Sequence, residues 1–199
     1  MIRSGLRPGP AGRAWRAALA VFASAVLLSL PSFAAAGAGA IAPADLDPLL
    51  RALSVRPWWG DPPPLGLVGL DGRRQALSDL KGHVALLYFW ATWCPICTGE
   101  LPSQIEALHR EFEGQGLVIW AVSVRESPER VTAWLKQHPL SVRVLLDIDG
   151  EAATTYRATG TPTFVLIDRS GQLAGRGVGP RDWSGDRGHA LIRALLRAS

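Results

Sequence analysis

The sequence predicts an α/β fold, a sheet with helices on both of its faces. Val84–Trp90 and Leu117–Val124 are unbroken apolar runs of the length and character of strands buried on both sides. Further short apolar runs alternate along the chain with segments of helical character. Asp71-Gly72, set between two short extended segments, is a strong hairpin-turn signal. A chain of 199 residues fits one domain with additional segments. A domain of about 150 residues buries a full core without disulfide staples.

Residues 1–36 predict export. Arg3, Arg7, Arg13 and Arg16 come first, an uncharged and mostly apolar stretch runs from Ala17 to Leu30, and small residues follow Pro31. A basic start, a short apolar core and an A-x-A-like site make a secretory signal peptide. The apolar core is shorter than the roughly 20 residues of a spanning helix. An uncleaved anchor is the alternative, because no charge occurs between Arg16 and Asp45. Either places the globular part outside the cytoplasm, on the periplasmic side in a bacterial setting, where disulfides persist.

Residues 37–64 are expected to connect this segment to a domain over residues 65–199. Asp45–Val55 can form a short helix with Leu46, Leu49, Leu50 and Leu53 on one face. Pro62-Pro63-Pro64 predicts a stiff extended spacer. Trp58 and Trp59 are expected to pack against the domain. Leu65–Leu70 and Arg73–Leu77 then form the hairpin, and Val84–Trp90 the first buried strand. A helix runs from Pro95 to about Glu113, ended by Gly114 and Gly116. After the Leu117–Val124 strand, Ser127-Pro128-Glu129 opens a helix to about Gln137, with Ser127 as N-cap and Pro128 at the first helical position. Strands at Val142–Leu146, Phe164–Ile167 and Gln172–Val178 and helices at Glu151–Arg157 and His189–Arg197 complete the domain.

The net charge of +4 comes from the export segment: without its four arginines the basic side chains equal the 17 acidic ones in number. No clustered basic face is left for nucleic acid. The chain has two cysteines, Cys94 and Cys97, three positions apart. A disulfide between them closes almost no loop and restricts the unfolded chain very little, which points to chemistry rather than stability. The pair sits where a buried strand ends and a helix begins. Unpaired backbone N–H groups and the helix dipole there favour a thiolate, so Cys94 is the expected nucleophile. Cys97, one turn on and less exposed, is the expected resolving thiol. A zinc site would need two more ligands, and His83, His109, His138 and His189 are scattered without ligand spacing. Haem attachment would need a histidine where Thr98 stands. No metal and no cofactor are expected.

Glu100 shares the helix face of the two cysteines. A carboxylate there can move protons during exchange, or it can be an ordinary solvated acid in the first turns of a helix.

Phe89-Trp90-Ala91-Thr92-Trp93-Cys94-Pro95-Ile96-Cys97 resembles the active-site segment of thioredoxins. Glu100-Leu101-Pro102 resembles the extracytoplasmic TlpA/ResA/CcmG branch, as does Gly179-Pro180-Arg181-Asp182-Trp183. The resemblance runs from about Leu65 to the C-terminus. It implies a thioredoxin fold with an N-terminal β-hairpin and a central helix–strand insertion over Ser127–Leu146. It implies that Thr161–Pro162 is cis and faces the cysteines, that Trp93, Thr161 and Pro162 contact substrate, and that Glu100 tunes the thiols. It also implies reduction of disulfides in exported proteins, for cytochrome c maturation or copper-site assembly, with a membrane thiol transporter as electron donor. Cytoplasmic thioredoxins place a buried Asp where this chain has Tyr88, so Glu100 is the better candidate for proton transfer. Thr98 stands where relatives often carry a basic residue. Two other activities suit a thiol pair: Cu(I) handling by the two thiolates, and thiol peroxidase chemistry.

Overall fold

The computed structural model describes residues 43–198; the export segment expected over residues 1–36 lies outside the described residues. The leucine-rich face predicted before the domain forms a helix, α1 (Pro43–Ala52), and Leu46, Leu50, Leu53 and the following Val55 are buried in the core. The chain then runs into a strand, β1 (Arg56–Gly60), antiparallel to the last strand of the sheet, β8 (Leu173–Val178). The expected connector is therefore part of the folded unit from Pro43 onward. Gly175 on β8 makes room for it: a Cβ there would lie 2.8 Å from Val55 and 3.0 Å from Leu50. Pro57 is compatible with β1 because β1 is an edge strand. Trp58 meets Tyr156 edge-on with centroids 6.4 Å apart, whereas Trp59 stays 40% exposed, so only the first of the pair packs as expected. The proline run is docked as well, since the Tyr156 hydroxyl donates to the Pro63 carbonyl at 2.6 Å.

The hairpin forms as β2 (Gly66–Gly69) and β3 (Arg74–Ala76), with Gly72 at φ +75° in its turn. A 3-10 turn (Leu77–Leu80) leads into β4 (Val84–Trp90), all seven residues of which are buried. The helical run after it is α2 (Pro95–Glu100), a π-helical turn (Leu101–Ile105) and α3 (Glu106–Phe112). The expected helix is thus interrupted at Pro102. Proline has no N–H for the preceding turn and its ring crowds that turn's carbonyl, and the run widens until the Glu106 N–H reaches the Leu101 carbonyl. Next come β5 (Leu117–Val124), α4 (Pro128–Leu135), β6 (Arg143–Asp147), α5 (Glu151–Thr155) and β7 (Thr163–Ile167), with α6 (Asp186–Arg197) after β8. Ser127 caps α4 as predicted, its side chain accepting the Arg130 N–H.

The strands form one sheet in the order β1-β8-β7-β4-β5-β6-β2-β3. β4 lies at its centre, parallel to β5 and antiparallel to β7. Period-two alternation divides its side chains. Val84, Leu86, Tyr88 and Trp90 join the core formed with α1, α3 and α6, while Ala85, Leu87 and Phe89 join the core under α5 and the hairpin. This is the predicted α/β architecture of a thioredoxin fold, with the hairpin β2–β3 added beside the inserted strand β6.

Candidate active site

The end of β4 delivers the chain into a turn held by a carboxylate that the sequence analysis did not single out. Glu126, almost fully buried, accepts the Thr92 N–H at 2.8 Å, the Thr92 hydroxyl at 2.5 Å and the Ser123 hydroxyl at 2.8 Å. The Arg130 guanidinium reaches the same carboxylate at 3.1 Å. Residue 92 is thereby clamped to the end of β5 directly ahead of the cysteines.

Cys94 is the N-cap of α2, with extended backbone, and its sulfur accepts the Cys97 N–H at 3.2 Å. Pro95 takes the first helical position, where no N–H is needed. Cys94 and Cys97 are joined in a disulfide with a Cα–Cα separation of 5.2 Å. Cys94 is 4% exposed and Cys97 is fully buried. Of the two residues only Cys94, the expected nucleophile, keeps any exposure. The Thr161 carbonyl lies 3.6 Å from the Cys94 sulfur, and the Thr161–Pro162 bond is cis. The Gly179 N–H donates to the Pro162 carbonyl at 2.8 Å, tying this loop to the end of β8. Trp93 and Ile96, on either side of Cys94, are 59% and 48% exposed. Two large exposed apolar side chains therefore flank Cys94 in the chain.

Glu100 is buried, not solvated. Its carboxylate accepts the Tyr88 hydroxyl at 2.6 Å and the Arg181 N–H at 2.9 Å. Burial pushes its pKa up, opposed by the Arg181 N–H, the Tyr88 hydroxyl and the Arg181 charge. The Tyr88 phenol is pushed far above its ordinary value by burial and then by the negative charge of Glu100. The Arg181 guanidinium donates to the Pro180 carbonyl at 2.6 Å and to the Ser54 carbonyl at 2.8 Å, and lies 5.3 Å from the centre of the Phe164 ring. Burial lowers the Arg181 pKa, with Glu100 acting in the opposite sense.

The structure thus gathers Trp93, Cys94, Cys97, Glu100, Thr161 and Pro162 at one end of β4. It adds Tyr88, Arg181 and Glu126. Tyr88 was legible in principle: alternation along Val84–Trp90 puts it on the face of the sheet that the cysteine-bearing helix covers. Arg181 falls in the 179–183 segment of the resemblance, but nothing local shows that its N–H meets Glu100, and nothing local shows that Glu126 holds Thr92, because Glu100 and Thr92 lie far off in sequence.

The family model described as AhpC/TSA family matches residues 62–176. The chain belongs to the AhpC/TSA family. Among relatives, the thiol-disulfide oxidoreductase ResA of Bacillus subtilis is 36% identical over 113 residues, which is 57% of this chain and 63% of that protein. ResA of Geobacillus kaustophilus is 32% identical over 111 residues, 56% of this chain and 63% of that one. The match thus spans a little under two thirds of these relatives. A solved structure described as a thiol:disulfide interchange protein DsbE from Chlorobium tepidum is 31% identical with a TM-score of 0.64, covering 70% of this chain and 98% of that chain. The kinship with the TlpA/ResA/CcmG branch expected from Phe89–Cys97 and Glu100-Leu101-Pro102 therefore holds. The family match begins close to the expected domain start at Leu65, and α1 and β1 precede it.

Proposed function

We propose that this protein is an exported thiol–disulfide oxidoreductase that reduces disulfides in other exported proteins through Cys94 and Cys97. The observation that carries the proposal is the Cys94–Cys97 disulfide at the start of α2, with the outer sulfur receiving a backbone N–H and facing the Thr161 carbonyl. An N–H donated to that sulfur favours its thiolate in the reduced protein. The Cys94 thiolate attacks a substrate disulfide, an S–S bond forms between Cys94 and one substrate sulfur, and the other substrate sulfur leaves as a thiolate. Cys97 then attacks the Cys94 sulfur. The mixed disulfide breaks, the second substrate sulfur leaves, and two electrons have passed from the dithiol to the substrate.

The names of the ResA and DsbE relatives support thiol–disulfide chemistry. The basic and apolar pattern of residues 1–36 supports an extracytoplasmic, periplasmic location, either released or tethered at the membrane. The resemblance to the TlpA/ResA/CcmG branch supports a reductive role in cytochrome c maturation or copper-site assembly, with a membrane thiol transporter renewing the dithiol.

Cys97→Ala should hold partners on Cys94 as mixed disulfides, recoverable from the exported fraction and released by reductant. A folded, exported Cys97→Ala protein that holds none refutes the proposal. Redox titration of the pair gives the direction: a potential near about −270 mV supports a reductant, and one near about −120 mV an oxidant.

A further inference from the structure

We propose that Tyr88 is a positioning residue for the thiol exchange, its hydroxyl holding Glu100 as the ionised acceptor that takes the Cys97 proton when Cys97 resolves the mixed disulfide. The inference rests on the activity proposed above and assigns a role to a side chain of the central strand.

Cys97 is fully buried, so its proton has no direct path to water. Attack on the Cys94 sulfur needs the thiolate. Glu100 lies one turn further along α2, the neighbouring position on the same helix face, and is itself buried. A buried carboxylate without donors takes up a proton and is lost as a base. This one has a donor for each oxygen, the Tyr88 hydroxyl at 2.6 Å and the Arg181 N–H at 2.9 Å. A carboxylate has about four acceptor positions, so two such bonds leave room for an incoming proton. The two donors differ in kind. The Arg181 N–H belongs to the backbone of a loop, whereas the Tyr88 hydroxyl stands on a fully buried ring in the middle strand of the sheet. The ring cannot swing to water, so its hydroxyl fixes both the rotamer and the charge of Glu100.

The step balances. The Cys97 proton passes to Glu100, the Cys97 sulfur bonds to the Cys94 sulfur, and the bond from Cys94 to the substrate sulfur breaks. The proton on Glu100 passes to the departing substrate thiolate, and the carboxylate is restored. Tyr88 keeps its own proton throughout, in line with a phenol whose pKa is pushed far above its ordinary value by burial and by the Glu100 charge.

The experiment mixes the reduced full-length protein with excess oxidised glutathione, quenches with acid at timed intervals, and counts mixed disulfide and closed disulfide by mass spectrometry from pH 4 to pH 9. The conversion of mixed to closed disulfide gives the resolving rate. In the wild type this rate falls on the acid side as Glu100 is protonated. Tyr88→Phe should move that fall to higher pH by about one to two units, the worth of one hydrogen bond to a charged group. At a fixed pH on the limb the rate then drops about tenfold or more, while the alkaline plateau is unchanged. Glu100→Gln should abolish the limb, and Tyr88→Phe should add nothing to it. If Tyr88→Phe does not fold, 3-fluorotyrosine in place of Tyr88 keeps the bond with a more acidic hydroxyl and should move the limb to lower pH. Superimposable wild-type and Tyr88→Phe profiles overturn the proposal. So does a uniform loss at every pH, or an equal effect of Tyr88→Phe with and without Glu100. Each of these leaves the exchange activity standing, whereas a wild-type protein that never forms the mixed disulfide overturns that activity and this proposal together.

Discussion

Replacing Glu126 by Gln should loosen the turn that presents Trp93 and Cys94, and the structure sets the size of the effect. The carboxylate receives two donors on one oxygen, the Thr92 N–H at 2.8 Å and the Ser123 hydroxyl at 2.8 Å. The other oxygen receives the Thr92 hydroxyl at 2.5 Å and the Arg130 guanidinium at 3.1 Å. An amide retains one acceptor oxygen, so one pair of donors survives as neutral hydrogen bonds. The new NH2 group then opposes the remaining donors. The Thr92 hydroxyl can reverse and accept from it, and Arg130 loses the carboxylate but keeps its bond to the Thr92 hydroxyl oxygen at 3.0 Å. Because the Arg130 side chain is 59% exposed, water recovers most of its charge and that loss is small. What remains is the conversion of buried, charge-assisted bonds into neutral ones, about 1.5–3 kcal/mol. Urea unfolding of the oxidised protein measures this directly. With a slope of roughly 1–3 kcal/mol per M, the midpoint should fall by about 1 M with the slope unchanged. Thr92→Val should couple to it, so the double variant loses less than the sum of the single losses. A midpoint within about 0.2 M of wild type, or strict additivity with Thr92→Val, would refute the assignment of Glu126 as the clamp on this turn.

Glu106 offers a pH test in another part of the fold. Burial pushes its pKa up, but the Ser141 hydroxyl, the Ser141 and Val142 N–H groups and the Arg110 charge outweigh burial and hold it below its ordinary value of 4.5. A lowered folded-state value means stability that is present above about pH 4.5 and is lost as pH falls through the folded value. Glu106→Gln should lower the urea midpoint near neutrality, with the gap closing as pH falls; a gap that stays constant down to pH 3 contradicts this account. Gly188→Ala should lose about 1–3 kcal/mol in the same assay, because its Cβ would lie 2.5 Å from the Trp183 carbonyl oxygen, a backbone atom with little freedom to withdraw. Wild-type stability in Gly188→Ala would show that α6 can shift off the 182–183 turn. Trp93→Ala removes a large exposed apolar side chain beside Cys94. It should lower kcat/KM for a protein disulfide about tenfold while leaving the reaction with oxidised glutathione and the unfolding midpoint near wild type. Equal losses on both substrates would place Trp93 in the chemistry rather than in docking.

Much of this molecule was legible from local pattern. Val84–Trp90 and Leu117–Val124 were placed residue for residue, because strands buried on both faces need unbroken apolar runs. Ser127 and Pro128 marked the start of α4, since capping is a matter of adjacent residues. The features that escaped depend on distant partners. β1 exists only because β8 offers an edge with a glycine where Val55 and Leu50 settle. The clamp at Thr92 needs Glu126, and the environment of Glu100 needs Tyr88 and Arg181.

The sequence by itself determined where the two cysteines stand. Three apart, at the junction of a buried strand and a helix, they put one sulfur at the helix N-terminus, the placement on which the proposed thiol exchange rests. It also determined which face of β4 Tyr88 would occupy, because side chains alternate along a strand. Only the tertiary structure decided what Glu100 is. The same residue type at the same helical position would be a solvated acid on an exposed face. Here the sheet covers it with a phenol from β4, and the loop after β8 brings a backbone N–H to its other oxygen. Helical spacing tells which side a residue faces, whereas its acidity depends on the donors and the dielectric across from it, and those come from elsewhere in the chain.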